Sequence, residues 1–284
     1  MTPVVAVIAP GAMGAAVGRR LADHGVKVLT SLAGRSAATA KRASDAGMID
    51  ASDAEIAAAD FMLSILPPGD ALALARRFAP ALAASNTKPV YVDCNAINPA
   101  TVERVAAVIA PTGSAFADAG IIGPPPQGQG TGPRFYASGE AAPDVAALSQ
   151  YGLDVRVLEG SLSAASALKM SYAGITKGTQ AIGAAMILAA MRAGSAEALL
   201  AELGFSQTEM LEQFRQQLPK MPAKAYRWVA EMREIAGFVG ADPAARALYD
   251  GAADFYARIA KDFQSAKVEA SAIEEFLGKE RKTR

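Results

Sequence analysis

Lys169 is the side chain of this chain best suited to moving a proton. It stands in Ser161-Leu162-Ser163-Ala164-Ala165-Ser166-Ala167-Leu168-Lys169-Met170-Ser171-Tyr172-Ala173, and no Asp or Glu occurs between Glu159 and Glu197. No carboxylate therefore sits at the i,i+4 spacing that pairs with a helical lysine. Helical periodicity puts Ser166, Lys169, Tyr172, Thr176 and Gln180 on one stripe, with Ala, Met, Leu and Ile over much of the remaining surface. A polar stripe on an apolar helix implies a buried cleft. Desolvation without a partner acid brings a lysine toward neutral titration, where it can give or take a proton. The competing reading is a lysine that snorkels to solvent, and periodicity leaves both open. The sole histidine, His24, falls in Asp23-His24-Gly25 at the end of a predicted helix. It reads as a solvated terminus, so histidine acid–base chemistry is not expected.

The second chemical signal is Val4-Val5-Ala6-Val7-Ile8-Ala9-Pro10-Gly11-Ala12-Met13-Gly14. A continuous apolar run is what a parallel strand covered on both faces requires. Gly11 and Gly14 then occupy the last two glycine positions of a dinucleotide fingerprint. The first lets the backbone approach a pyrophosphate, and the second lets the helix pack close to the strand. The helix N-terminus, at Ala12 and Met13, offers free N–H groups to phosphates. Ala9 replaces the first glycine, so the pattern alone is weak; its place between strand and helix is the stronger argument. A glycine turn without a ligand is the alternative.

The loop after the second strand separates the two nicotinamide cofactors. An acid there holds the ribose 2′-OH of NAD, whereas an arginine accommodates the 2′-phosphate of NADP. The sequence has Ser31-Leu32-Ala33-Gly34-Arg35-Ser36, without an acid. Arg35 can form charge-assisted bonds to a phosphate, and Ser31 and Ser36 add donors. This favours NADP, with NAD possible. Ser36 as a helix cap beside a solvated Arg35 is a compatible reading.

The elements that position these groups follow from the pattern. Strands are predicted at 4–8, 26–30, 61–66, 90–93, 115–119, 134–137 and 155–158. Helices are predicted at 13–24, 37–46, 70–84 and after Pro99. Strands alternating with helices over 1–160 give a doubly wound, mainly parallel α/β Rossmann domain. Ligands lie outside the carboxyl ends of such strands. That draws in Leu66-Pro67-Pro68, Asp93-Cys94-Asn95 and Asp118-Ala119-Gly120-Ile121-Ile122-Gly123. The aperiodic loop 123–133 reads as a lid or as a plain connection. From residue 161 every segment reads as helix. A long interdomain helix over 161–193 would span roughly 50 Å, and helices begin near 207, 223, 243 and 268. An all-helical substrate and dimerisation domain is therefore expected over 161–284.

The 284 residues balance 28 basic against 28 acidic side chains, which gives no surface for nucleic acid or anionic membrane. One cysteine, Cys94, excludes a disulfide framework and a cysteine-based zinc site within one chain. No metal site is expected, and the cytoplasm is the expected compartment. No uncharged apolar run reaches the ~18 residues of a membrane span. The first apolar run lacks a preceding basic region and reads as a core strand rather than a signal peptide.

Most of the chain resembles the β-hydroxyacid dehydrogenases, the superfamily of 3-hydroxyisobutyrate and 6-phosphogluconate dehydrogenases. The segment 8–14 is similar to the family's G-x-G-x-M-G turn. Val92-Asp93-Cys94-Asn95-Ala96-Ile97-Asn98-Pro99 resembles its D-x-S-T-x-x-P strand end near the nicotinamide. Asp118-Ala119-Gly120-Ile121-Ile122-Gly123-Pro124 resembles its substrate loop D-A-P-V-S-G-G, and 160–173 its G-x-x-x-K-x-x-x-N helix. The resemblance implies Lys169 as general acid/base and a homodimer with shared helical domains. It departs at Ile122, where the family has a substrate-binding serine, at Asn95-Ala96 for its Ser-Thr pair, and at Ala173 for its asparagine. The family's later Lys-Asp pair has no secure counterpart near Glu231-Met232, although Lys261-Asp262 follows. The segment 224–232 resembles an uncharacterised branch with a C-terminal domain of unknown function.

These readings imply an NADP-dependent oxidoreductase acting on a hydroxy acid or related alcohol. Gly11, Ala12, Met13, Gly14, Ser31, Arg35, Ser36, Leu66, Pro67, Pro68 and Asn95 are expected at the cofactor. Asn95, Ile122, Gly123, Tyr172 and Trp228 are expected at the substrate. Imine reductases share the fold but usually carry Asp or Tyr at the lysine position, so Lys169 favours an alcohol/carbonyl couple. A nucleotide-binding protein without turnover is the remaining alternative. The small residues of the long helix suit contact with a second copy. Phe214, Tyr226, Trp228, Phe238, Tyr249, Phe255 and Tyr256 exceed what a thin helical layer covers alone.

Overall fold

The computed structural model describes residues 2–127, 130 and 132–278. The nucleotide domain runs β1 (Val4–Ile8), α1 (Ala12–Asp23), β2 (Lys27–Thr30), α2 (Ala37–Asp45), β3 (Ile49–Asp50), α3 (Asp53–Ala57), β4 (Phe61–Ser64), α4 (Ala71–Ala84), β5 (Val90–Asp93), α5 (Pro99–Ile109), β6 (Phe116–Ile122), β7 (Arg134–Ser138), α6 (Ala142–Ala146) and β8 (Asp154–Val157). Eight strands form one sheet in the order β3-β2-β1-β4-β5-β6-β7-β8. All neighbours are parallel except β6 and β7, which pair antiparallel from Asp118↔Ser138 to Ile122↔Arg134. β1 is buried on both faces, which explains its unbroken apolar run: Val5 and Val7 pack with Val17, Leu21 and Val28, while Ala6 and Ile8 pack with Met62, Phe78 and Tyr91.

Within the nucleotide domain the structure adds three short elements to the predicted set. β3 has two residues, and α3 and α6 have five each. β6 also runs three residues beyond its predicted end, to Ile122, because β7 supplies a ladder along that length. In the loop after β6, Gly123 adopts a positive φ of 129°, and a Cβ there would come 3.0 Å from the Pro133 Cα. Residues 128, 129 and 131 of the predicted lid lie outside the described residues.

The helices that follow are α7 (Ala164–Arg192), α8 (Ala196–Ser206), α9 (Thr208–Gln217), α10 (Ala225–Phe238), α11 (Pro243–Phe263) and α12 (Val268–Gly278). The chain divides into compact units of residues 1–170 and 171–284. The first turns of α7 thus belong with the sheet. Within the second unit, Met232, Ile235, Tyr256, Ile259 and Ile273 are buried. The expectation that the small residues of α7 serve a second copy is corrected in part. A Cβ on Gly174 would meet Tyr249 Oη, and one on Gly183 would meet the Phe214 ring. Those glycines seat aromatics of their own unit. Phe214 and Tyr256 are likewise core residues rather than surplus surface. No helix among the described residues is long and apolar enough to cross a membrane.

The glycine turn gives a direct test of the packing. A Cβ on Gly14 would overlap the Ala9 carbonyl, whereas one on Gly11 meets nothing within 4 Å. Gly14→Ala is expected to lower stability by about 1–3 kcal/mol, the usual cost of overpacking. Gly11→Ala should melt with the wild type. Paired thermal melts check both, and equal melting temperatures for all three proteins would contradict the packing.

Candidate active site

Five parallel strands, β2, β1, β4, β5 and β6, deliver their carboxyl ends to one edge of the sheet, and the sequence-predicted residues of the first unit follow those ends. Gly11 is the N-cap of α1 and has no side chain to close the helix end. With open space at Gly11 and the helix drawn against Ala9 by Gly14, the turn forms a cradle of Ala12, Met13 and Gly14 backbone. This is the form of a phosphate site. The residues present therefore fit a dinucleotide.

Asn95 ties two strand ends together. Its Oδ1 accepts from Leu66 N, its Nδ2 donates to Ser64 Oγ (2.8 Å), and its backbone N donates to Asp93 Oδ1 (2.9 Å). The side chain is only 2% exposed. Its geometry fixes the course of Leu66, Pro67 and Pro68 past the end of β4.

The N-terminus of α7 is fastened to β6 and β7 by side chains. Asp118 Oδ2 accepts from Ser166 N (2.7 Å) and Oδ1 from Ser166 Oγ (2.7 Å). Ser138 Oγ accepts from Ala165 N (2.9 Å) and donates to Leu162 O (2.8 Å). These bonds satisfy first-turn N–H groups that a helix cannot satisfy itself, and an acid is favoured at that end by the helix dipole. Gly120 allows the close approach: a Cβ there would lie 2.8 Å from Ala165 O and 3.1 Å from Lys169 Cβ. One turn on, Lys169 Nζ donates to Ile121 O (2.7 Å). The amine is thereby held at the carboxyl end of β6, next to Ile122 and Gly123. Ile122 itself is buried.

Asp93 and Asp118 are register neighbours on β5 and β6 and both are buried. Burial pushes the Asp93 carboxyl up to about 7, with repulsion from Asp118 adding to it and the Asn95 bonds opposing it. Burial pushes Asp118 up to about 6 against the pull of its Ser166 bonds. Asp93 Oδ2 has no hydrogen-bond partner among the described residues, so nothing there offsets the burial of a negative charge. Burial also pushes the Cys94 thiol well above its ordinary value, which makes it unreactive.

In the loop after β2, Ser36 caps α2 by accepting from Thr39 N, and Arg35 is exposed. Three further residues that sequence reasoning missed bond the glycine turn or this loop. Arg42 Nη1 donates to Pro10 O (3.2 Å), Arg77 Nη2 donates to Ser31 Oγ (2.8 Å), and Asp50 Oδ1 accepts from Leu32 N (2.9 Å). They come from α2, α4 and β3, and only the fold brings them together.

Tyr172 and Trp228 belong to the second unit. Tyr172 is about half exposed, and the expected polar stripe is not uniform, since Ser166 and Gln180 are buried. Trp228 packs edge-on to Tyr256, with Lys177 Nζ 5.2 Å from its ring centroid. Lys177 forms a partly buried ion pair with Glu231, and Tyr256 Oη donates to Lys177 O (2.6 Å). Asp262 accepts from Glu269 N and Ala270 N and so caps the start of α12.

The family model for the NAD binding domain of 6-phosphogluconate dehydrogenase matches residues 4–149. The chain belongs to that family. A domain of unknown function, DUF1932, matches residues 190–259. A conserved protein of unknown function, whose structure is described as revealing similarity to 3-hydroxyacid dehydrogenases, is 30% identical; the match covers 94% of this chain and 98% of that one, with a TM-score of 0.70. Mycobacterium tuberculosis 3-hydroxyisobutyrate dehydrogenase is 20% identical over 98% of this chain and 99% of its own, with a TM-score of 0.68. An imine reductase from Myxococcus stipitatus, solved with NADP+, is 16% identical over 98% and 100%, with a TM-score of 0.53. No curated protein matches the chain. Fold and nucleotide domain are those of NAD(P)-dependent oxidoreductases, with a nicotinamide cofactor.

The carboxyl pair sets a pH dependence. Asp93 takes up its proton near pH 7 when folded and near the ordinary value of about 4 when unfolded. The folded state therefore binds more protons in between, and this contribution to stability is lost as pH rises through that window. Asp93→Asn mimics the protonated form and removes the loss. Its melting temperature relative to wild type is expected to rise from pH 4 to pH 7 and level off above. A difference independent of pH would contradict the assignment.

Proposed function

We propose that the protein is an NADP-dependent oxidoreductase that interconverts a hydroxy acid, or a related alcohol, and its carbonyl compound, with Lys169 as general acid/base. The observation that carries this reading is the place of the Lys169 amine, held at the carboxyl end of β6 by Ile121 O. The Gly11–Gly14 turn would hold the pyrophosphate, and Arg35 with Ser31 the 2′-phosphate. A bound nicotinamide supplies or accepts the hydride at the carbinol carbon. Lys169 Nζ gives its proton to the carbonyl oxygen in reduction and takes it back from the hydroxyl in oxidation, so charge and protons balance. Asn95 keeps the Leu66-Pro67-Pro68 segment in place, and Ile122 would face the substrate with an apolar side chain where a serine would offer a hydroxyl. A lysine rather than Asp or Tyr supports an alcohol/carbonyl couple over an imine.

We also infer a homodimer formed through the helical unit. Ile175, Ile182 and Met186 are exposed, and with Tyr172 they follow one another at intervals of three, seven and four residues along α7, which keeps them near one face. That is a seam for another helix. The apolar α8, with Leu199, Leu200, Leu203 and Phe205, buries none of its residues. A second copy offers the same seam, and a closed two-fold pair is the commonest solution.

Two experiments test these readings. Turnover of a panel of hydroxy acids, carbonyl compounds and cyclic imines is measured for wild type and Lys169→Met. The variant is expected to lose about 10²–10⁴ in rate while binding cofactor as wild type does; undiminished turnover would rule out the proton role. Light scattering at micromolar concentration is expected to give a dimer for wild type and a monomer for Ile182→Glu. A folded, active wild-type monomer would contradict the dimer.

A further inference from the structure

Arg77 reaches from α4 to the end of β2. Its Nε donates to Asp53 Oδ2 (3.0 Å) and its Nη2 to Asp53 Oδ1 (2.6 Å), a two-bond fork that fixes the guanidinium plane. The same Nη2 donates to Ser31 Oγ (2.8 Å). Ser31 directly follows β2, about 20 residues after the glycine turn, where dinucleotide folds place the residue that faces the ribose 2′ position. A hydroxyl has one proton to give and can accept bonds. Since Ser31 Oγ already accepts from Arg77, its proton is directed elsewhere. The position usually filled by an acceptor acid is thus converted to a donor with a cation behind it. The Arg77 side chain is about one-third exposed, and its Nη1 makes no hydrogen bond among the described residues. The nearby acid Asp50 has one oxygen engaged by Leu32 N, and Asp53 is engaged by the fork itself.

We propose that Arg77 is a specificity-determining residue for the cofactor. Its guanidinium, aligned by Asp53, gives the 2′-phosphate of NADP a second cationic partner beside Arg35 and makes Ser31 a donor to the same group. This rests on the NADP reading above. Arginine suits the role because its planar fork holds a carboxylate on one edge and presents N–H groups on another, which a lysine cannot do.

The test is titration of NADPH and of NADH, followed by calorimetry, into wild type, Arg77→Ala, Ser31→Ala and Asp53→Ala, with a thermal melt of each. Arg77→Ala is expected to weaken NADPH by about ten- to a hundredfold, the scale of bonds to a charged group, and NADH by no more than about twofold. Asp53→Ala should keep the preference for NADPH, because the guanidinium remains. Ser31→Ala leaves the Arg77–Asp53 fork whole, so it reports even if Arg77→Ala fails to fold; it should weaken NADPH more than NADH. Equal loss of both cofactors in Arg77→Ala and Asp53→Ala would mean that the ion pair only joins α3 to α4, and would overturn the proposal. Unchanged NADPH binding in Arg77→Ala and Ser31→Ala would overturn it too. A wild type that prefers NADH overturns the NADP reading itself, and that is seen before any variant is made.

Discussion

The two bonds from Asp118 to Ser166 are the constraint on which the candidate site depends. They join the middle of β6 to the first turn of α7 across 48 residues of chain. Lys169 lies three residues further along the same helix, so its amine goes where Asp118 puts the helix. Gly120 removes the side chain that would hold the two elements apart. The lysine then finds Ile121 O within reach. None of these contacts is large, but each fixes the next, and a helix is rigid enough to carry the position of its first turn to the second.

The cost of this arrangement is carried by buried carboxyl groups. Asp93 and Asp118 sit side by side in a sheet with little access to water, and a charge there loses its solvation. Asp118 is offset by a helix N-terminus and two short hydrogen bonds. Asp93 has one bond, from Asn95 N, and its second oxygen stays unpartnered among the described residues. The raised protonation of both groups follows. In return Asp93 orders Asn95, and Asn95 orders the end of β4 through Ser64 and Leu66. The carboxyl ends of β4 and β5 are thus knitted by polar groups and not by packing alone.

Much of the fold was legible because its elements are local. β1 is an unbroken apolar run, Ser36 caps α2 as its type suggests, and α7 announces itself by 29 residues without a proline. Lys169 was legible by its lack of neighbouring acids. Other features were not. Ser52 and Glu55 form a capping box that opens α3, a signal present in the sequence but carried by a helix of only five residues. α8 has no side-chain cap and buries nothing, so neither boundary nor periodicity marks it. The partnerships of Asp118 with Ser166, Arg77 with Ser31, and Lys177 with Glu231 join positions 46 to 54 residues apart. Helical or strand periodicity says nothing about pairs at that distance; the sheet order and the helix docking create them.

On the proposed function, the Lys169 amine stands beside the hydride-carrying carbon of a bound nicotinamide. The most direct measurement is a crystal structure of the protein with NADPH bound. The nicotinamide is expected over the ends of β4, β5 and β6, with Lys169 Nζ facing its C4 across a gap that one substrate oxygen can bridge. A nicotinamide bound with Lys169 Nζ turned away from C4, or with another ionisable side chain in that gap, would contradict it.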